Sequence, residues 1–232
     1  DAEEVAAEAD TGHTKGDPFE KWNRGVYKFN DSIDQAIVEP LAKGYRAVTP
    51  GFFRSGVRNF LHNLASPVIL ANDVLQAEPK RAGATTGRFV INTTIGLLGL
   101  FDVGEKVGLK KHDEDFGQTL GKWGVGPGPY LMLPLLGPSN MRDLTGKVVD
   151  YAIDPITYAK FKHDDEARLA RTGMDLLTQR TDTLDAVDSL RETSVDPYAA
   201  ARSFYDQSRE SAILNGQEGA EDSPESEGNL SE

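Results

Sequence analysis

A run of thirteen uncharged residues, Phe89 to Phe101, sets the first limit on what this chain can become. It reads F-V-I-N-T-T-I-G-L-L-G-L-F, is closed by Arg88 on one side and Asp102 on the other, and carries Asn92, Thr93, Thr94 and two glycines among its apolar residues. As a helix it would be about 20 Å long, against about 30 Å of bilayer hydrocarbon, so it cannot span. Two placements remain: a buried core helix, the more ordinary fate of a run this short, or a segment that enters one leaflet and turns back at Gly96 and Gly99. A second uncharged run, Gly124 to Asn140, holds four prolines. Those prolines forbid a regular helix and disfavour a central strand, so the chain has two apolar, hairpin-like pieces.

With 232 residues, 38% hydrophobic and 27% charged, the chain can bury one sizeable core, which predicts a single domain over 17–213 between two tails. The net charge of −12 is concentrated in those tails: residues 1–16 carry −4 and residues 214–232 carry −6, leaving the body at −2. A body this close to neutral, with no basic stripe, argues against nucleic acid as a partner and against polybasic attachment to a membrane surface. The acidic, Gly/Ser/Glu-rich ends lack the apolar surface to offset ordering and are expected to be disordered. Cysteine is absent, which removes disulfides, a thiolate nucleophile and Cys-based zinc sites. The chain begins at Asp1, with no Met or signal region, as expected of a processed or trimmed chain.

Helical signals dominate. Asp17-Pro18-Phe19-Glu20 reads as a cap followed by Pro at the first helical position, and Phe19, Trp22, Val26, Phe29, Ile33 and Ile37 then mark one face of a helix that Pro40 is expected to end. Thr49-Pro50 starts a second helix with Phe53, Val57, Phe60 or Leu61, and Leu64; Ser66-Pro67 starts a third through Val74 and Leu75, stopping near Glu78-Pro79. The small residues Ala82, Gly83, Ala84 and Gly87, which permit close helix approach, lead into the uncharged run. A short helix is expected in Ser139–Ile153, one long helix over Asp164–Glu192, and a last one from Asp196-Pro197. No segment alternates with period two, so the expected class is all-α with no sheet.

Catalytic signatures are missing. His13, His62, His112 and His163 are isolated, there is no H-E-x-x-H or G-x-S-x-G, and the G-V-G-P-G-P of 124–129 lacks the strand and helix that nucleotide loops require. Asp115-Phe116-Gly117 has no companion kinase motif. His112-Asp113-Glu114-Asp115 could attract Ca²⁺, but no Ca²⁺-loop spacing follows, and a solvated loop is the expectation; neither a metal nor a cofactor is implied. A set of amides is more informative: Asn23, Asn30, Asn59, Asn63, Asn72 and Asn92 sit on or beside apolar faces. Such amides either bond neighbouring backbone or, as a set, line a passage that is apolar on one side and wet on the other.

Longer blocks carry a resemblance. D-P-F-E-K-W-N-R-G-V-Y-K-F-N (17–30), N-L-A-S-P-V-I-L-A-N-D-V-L-Q (63–76), G-R-F-V-I-N-T-T-I-G-L-L-G-L-F-D-V (87–103), F-G-Q-T-L-G-K-W-G-V-G-P-G-P-Y-L-M-L-P (116–134), S-N-M-R-D (139–143) and D-P-Y-A-A-A-R (196–202) follow in order. They resemble the MlaA/VacJ family of outer-membrane lipoproteins over about Asp17 to Glu210. The resemblance implies a ring-shaped all-α domain in the periplasmic leaflet of the outer membrane, with a central amphipathic channel. It also implies retrograde transport of misplaced phospholipid to a soluble periplasmic carrier (MlaC-like), often beside a trimeric porin, with no covalent chemistry. On that basis Asn30, Ile91, Asn92, Ile95, Leu98 and Phe101 become lipid-channel candidates, and Gly96, Gly99 and Gly104 become gate or hinge candidates. The Cys that carries the family's N-terminal lipid is absent here, as trimming at a processed end would leave it, and the acidic tails match nothing in the family pattern. A soluble helical lipid carrier and a non-lipid envelope scaffold docking through Asp164–Glu192 are the alternatives.

Overall fold

A computed structural model describes residues 17–215; the remainder of both acidic tails lies outside the described residues. Eleven helices are described. They are α1 (Glu20–Ile33), α2 (Glu39–Val48), α3 (Gly51–Leu75), α4 (Pro79–Thr94), α5 (Val103–Lys106), α6 (Phe116–Lys122), α7 (Met141–Ile153), α8 (Pro155–Tyr158), α9 (Asp164–Asp182), α10 (Leu184–Thr193) and α11 (Pro197–Ile213). The all-α class holds, with one amendment: Tyr130–Leu133 (β1) and Gly137–Asn140 (β2) form an antiparallel hairpin in register Tyr130↔Asn140 and Leu133↔Gly137. Pro134 sits in its turn and Pro138 on a two-stranded sheet that has only edges, which is where proline is tolerated.

The hairpin is held by α1. Asn23 donates from Nδ2 to the Tyr130 carbonyl (3.1 Å) and accepts from the Met132 N–H (2.9 Å). One face further along, Asn30 donates to the Leu133 carbonyl (2.9 Å) and accepts from the Leu135 N–H (2.8 Å). Two amides seven residues apart thus stand in for a strand along the edge of β1, occupying bonding groups that would otherwise recruit another chain. Val26, Tyr130, Met132 and Tyr198 form the apolar cluster beneath, with Tyr130 edge-on to Tyr198 and Tyr205 at centroid separations of 6.1 and 6.0 Å.

Four sequence expectations change. Asp17 does not cap α1: it is fully buried, takes a 2.7 Å bond from Asn23 and accepts from the Tyr198 hydroxyl, while Phe19 occupies the cap position with no side-chain bond. Pro40 does not end the helix, because a π-helical turn at Asp34–Val38 joins α1 to α2 and Pro40 falls in the first turn of α2, where a missing N–H costs least. Pro67 likewise lies inside the 25-residue α3 rather than starting a new helix. The expected long helix is two, broken at Thr183 between α9 and α10.

Packing contacts close a circuit: α1 on β1, β2 on α7 and α11, α7 on α6, α6 on α3, α3 on α9, α9 on α2, and α2 back through the π turn to α1. Ion pairs lock the last joint. Arg180 grips Asp34 with two bonds of 2.7 and 2.8 Å, and Arg191 reaches Asp34 (2.6 Å), Asp31 (2.9 Å) and Glu39 (2.8 Å). These planar, bidentate contacts need arginine rather than lysine.

The distribution of polarity is inverted. Among the described residues only eight hydrophobic side chains are buried against nineteen polar or charged ones, while thirty-four large hydrophobics are exposed. The stripe of α1 shows how: Val26 turns inward, but Phe19, Trp22, Phe29 and Ile37 face out. An exposed apolar surface on this scale marks contact with a membrane or a partner.

Candidate functional site

The uncharged run is half helix and half turn. α4 carries it to Thr94, burying Thr85, Arg88 and Asn92 and leaving Phe89 and Val90 outside. Beyond Thr94 the chain folds over itself until Asp102 caps α5. The core-helix placement is therefore replaced by an exposed turn: Ile95, Leu98 and Phe101 are 68%, 62% and 56% exposed, with Leu97 and Leu100 beside them.

The charges that close the run pair with each other. Arg88 Nη2 lies 2.5 Å from Asp102 Oδ2, and its Nη1 donates to the Leu109 carbonyl. Asn92 completes the clamp, donating to Asp102 Oδ1 (3.1 Å) and accepting from the Gly104 N–H (2.8 Å). Burial on its own would raise the Asp102 carboxyl, but the Glu105 N–H, Arg88 and Asn92 outweigh it and hold the group below the ordinary carboxylate range. The thirteen residues between, the end of α4 and the turn after it, consequently form one tied loop, closed at its base by a buried ion pair.

Inside that loop the backbone satisfies itself: Gly96 and Leu98 donate to the Ile91 and Thr93 carbonyls, Gly99 to Asn92, and Phe101 to Gly96, at 2.8–3.1 Å. Such internal pairing is what irregular backbone needs at membrane depth. Leu97 and Leu98 adopt left-handed conformations, with φ of 52° and 59°, and conformations of that kind cost about 1–3 kcal/mol each unless the surroundings enforce them. Asn63 on α3 is the enforcing group, bonding the Leu98 carbonyl (3.3 Å) and the Thr93 hydroxyl (2.9 Å). Two leucines are thereby held pointing outward from a turn that has no slack.

The glycines of this region are sites of close approach. A Cβ on Gly96 would lie 2.3 Å from the Phe101 carbonyl oxygen, one on Gly99 (φ +97°) 2.4 Å from Asn63 Cβ, and one on Gly104 2.8 Å from Arg88 Cγ. All three are buried. Of the channel candidates, Ile95, Leu98 and Phe101 share the exposed turn, Ile91 is half-buried on α4 beside it, Asn92 belongs to the clamp, and Asn30 stands apart at the hairpin. Sequence reasoning named Asn63 among the amides but not its hold on this turn, and it missed Leu97 and the Arg88–Asp102 tie. The tie left a trace in the sequence, two opposite charges bounding an apolar run.

Polar groups fill the space behind. Asp73 is fully buried against His112 Nε2 (3.0 Å) and the Thr85 hydroxyl (2.6 Å). Asn72 bonds Asp150 (3.0 Å) and accepts from Thr119 (2.8 Å). The segment 113–115 is solvated only in part: Asp113 is exposed, while the two acids after it are engaged by the fold. Glu114 is buried against Arg81 and Gln76, and Asp115 caps α6 through the Gln118 N–H (2.9 Å) and binds Arg209 at 2.6 and 2.9 Å. No group of three acidic or histidine side chains among the described residues could hold a metal ion.

The fold and surface define a class: a helical protein with amides and ion pairs inside, apolar side chains outside, and no described helix long and apolar enough to cross a membrane. A family model, MlaA lipoprotein, matches residues 15–212, and the chain belongs to that family. An uncharacterized protein of Rickettsia typhi is 40% identical over 198 residues, covering 85% of this chain and 78% of its own. The intermembrane phospholipid transport system lipoprotein MlaA of Escherichia coli (strain K12) is 34% identical over 208 residues, covering 88% and 80%. A solved structure described as "Structural basis for maintenance of bacterial outer membrane lipid asymmetry" matches with a TM-score of 0.76 and 32% identity, over 86% of this chain and 100% of that one.

Proposed function

We propose that this chain is a phospholipid-binding outer-membrane lipoprotein that removes misplaced phospholipid from the outer leaflet and passes it to a soluble periplasmic carrier, sustaining lipid asymmetry. The role of the Escherichia coli relative in an intermembrane phospholipid transport system supports the transport reading. The observation that carries it to particular residues is the tied loop, whose apolar side chains project while its backbone and charges are satisfied within. Acyl chains run along Ile91, Ile95, Leu98 and Phe101, while Asn30 and Asn92 hold the hairpin and the turn that border the path. The closed circuit of helices supports an annular body with an amphipathic passage. Gly96, Gly99 and Gly104 fix the shape of any gate there. No covalent step is needed, so the protein acts as a filter rather than an enzyme. Direction then comes from the carrier's affinity, since a passive path cannot drive transport. A trimeric porin is the partner expected alongside.

A photo-crosslinking residue at Ile95, in the full-length protein in living cells grown with radiolabelled phosphate, tests this reading. Label should enter the protein band with the probe at Ile95 and disappear when the probe moves to Glu166, whose side chain is 72% exposed on α9. Crosslinks at Ile95 that join only protein would return the turn to a scaffold role.

A further inference from the structure

From the last turn of α7 to the start of α9 the chain makes a short connector, 151–162, that contributes nothing to the tied loop or to the hairpin. Its polar groups are consumed on its inner side. Arg171 pairs with Asp154 at 2.6 Å, Arg168 donates to the Ile156 and Ala159 carbonyls (3.3 and 3.0 Å), and Asp154 caps α8 through the Ile156 N–H (2.9 Å). The Thr157 hydroxyl donates to the Tyr151 carbonyl and the Tyr158 hydroxyl to the Ala152 carbonyl, both at 2.8 Å. The connector is thus rigid.

What it presents outward is aromatic and basic. Tyr151 and Tyr158 are each 66% exposed and Phe161 is 53% exposed, with Ile153 next to them. Lys160 and Lys162 alternate with Phe161 and are exposed. The acids nearest in sequence are already taken, Asp154 by Arg171, Asp164 and Asp165 by Arg168, and Glu166 by His163, which leaves both lysines without an ion-pair partner among the described residues. Tyrosine rings, that of Tyr158 with its hydroxyl bonded to backbone, flanked by lysines with free ammonium heads on long apolar stems, suit one environment: the boundary between acyl chains and headgroups.

We infer that the connector 151–162 is an interfacial anchor, with Tyr151, Tyr158 and Phe161 seated at headgroup depth and Lys160 and Lys162 drawn to anionic phospholipid. This rests on the membrane-leaflet reading above and adds to it a second contact, remote in sequence from the tied loop, with a preference for lipid charge. Each lysine near an anionic surface contributes about fivefold to partition, so the pair contributes about 25-fold.

The absence of native cysteine makes the test direct. Single Phe161→Cys and Leu98→Cys variants of the whole chain, each bearing an environment-sensitive fluorophore, are mixed with vesicles of phosphatidylethanolamine with or without phosphatidylglycerol. The anchor requires the label at 161 to enter a low-polarity environment, more so with phosphatidylglycerol. Lys160→Gln with Lys162→Gln should remove that increment, cutting partition about 25-fold, while the double Arg replacement restores it. A label at 98 that enters lipid while the label at 161 stays aqueous overturns the anchor and leaves the leaflet reading standing. If neither label enters, the leaflet reading falls and takes the anchor with it. Protection of 161 only on adding purified porin or soluble carrier overturns it in favour of protein docking.

Discussion

At the scale of single residues, the tied loop depends on close contacts that periodicity does not encode. Gly99 combines a positive φ with backbone packed on Asn63, whereas Gly108 (φ +87°) faces open space. Gly99→Ala should therefore cost about 2–4 kcal/mol in urea unfolding, against about 1 kcal/mol for Gly108→Ala, where only the backbone conformation is strained. Equal costs would mean that the Asn63 contact is not what fixes the turn. Asn63→Ala should cost about 1–3 kcal/mol by stranding the Leu98 carbonyl and the Thr93 hydroxyl. Asp102 gives a pH signature. Its folded carboxyl lies below the ordinary range, so its stabilisation is fully present above the unfolded value and is lost as pH falls through the folded one. The stability gap between wild type and Asp102→Asn should accordingly be flat near neutrality and close only in acid below the usual carboxylate range. A gap that closes above that range would remove Arg88, Asn92 and the Glu105 N–H as the groups that depress it.

At the scale of elements, local signals located most helices but misjudged how they end and which way they face. Asp196 caps α11 through the Ala199 N–H, as Asp196-Pro197 announces, and α7 begins inside the expected 139–153 window. The 124–140 run was legible as hairpin-like, but its strand pairing was not, because its supports, Asn23 and Asn30, act across more than a hundred residues, and no window of ten or fifteen contains both partners. The join at Pro40 was missed because a π turn shifts the bonding pattern so that the proline falls within the first turn of α2. Helix faces were read correctly as stripes; periodicity reports that a stripe exists, while its direction depends on whether water or lipid lies outside. Asn23→Ala should raise hydrogen exchange at the Met132 N–H and cost about 2–4 kcal/mol, since it strands that donor, the Tyr130 carbonyl and one oxygen of Asp17 together. Unchanged exchange would show that β2 alone holds β1.

At the scale of the whole molecule, the inverted surface predicts behaviour in solution. Without lipid or detergent the isolated chain should self-associate through its exposed apolar side chains and sediment as a broad distribution; added detergent should return a single species. A sharp monomer in plain buffer would favour a soluble carrier instead. Leu98→Glu, which puts a charge on the outward turn, should leave helical content unchanged and abolish phospholipid transfer in cells. The polar interior has a thermal consequence as well. Unfolding a domain whose buried side chains are mainly amides, hydroxyls, carboxylates and guanidiniums exposes little hydrocarbon, and polar exposure lowers heat capacity where apolar exposure raises it. Calorimetry in detergent should thus find a heat-capacity increment below the ~12–15 cal/mol/K per residue of water-soluble domains, and a stability curve that is broad and shallow. Such a protein keeps its shape over a wide span of temperatures, and changes in membrane fluidity reach it through the lipid it handles before they reach its fold.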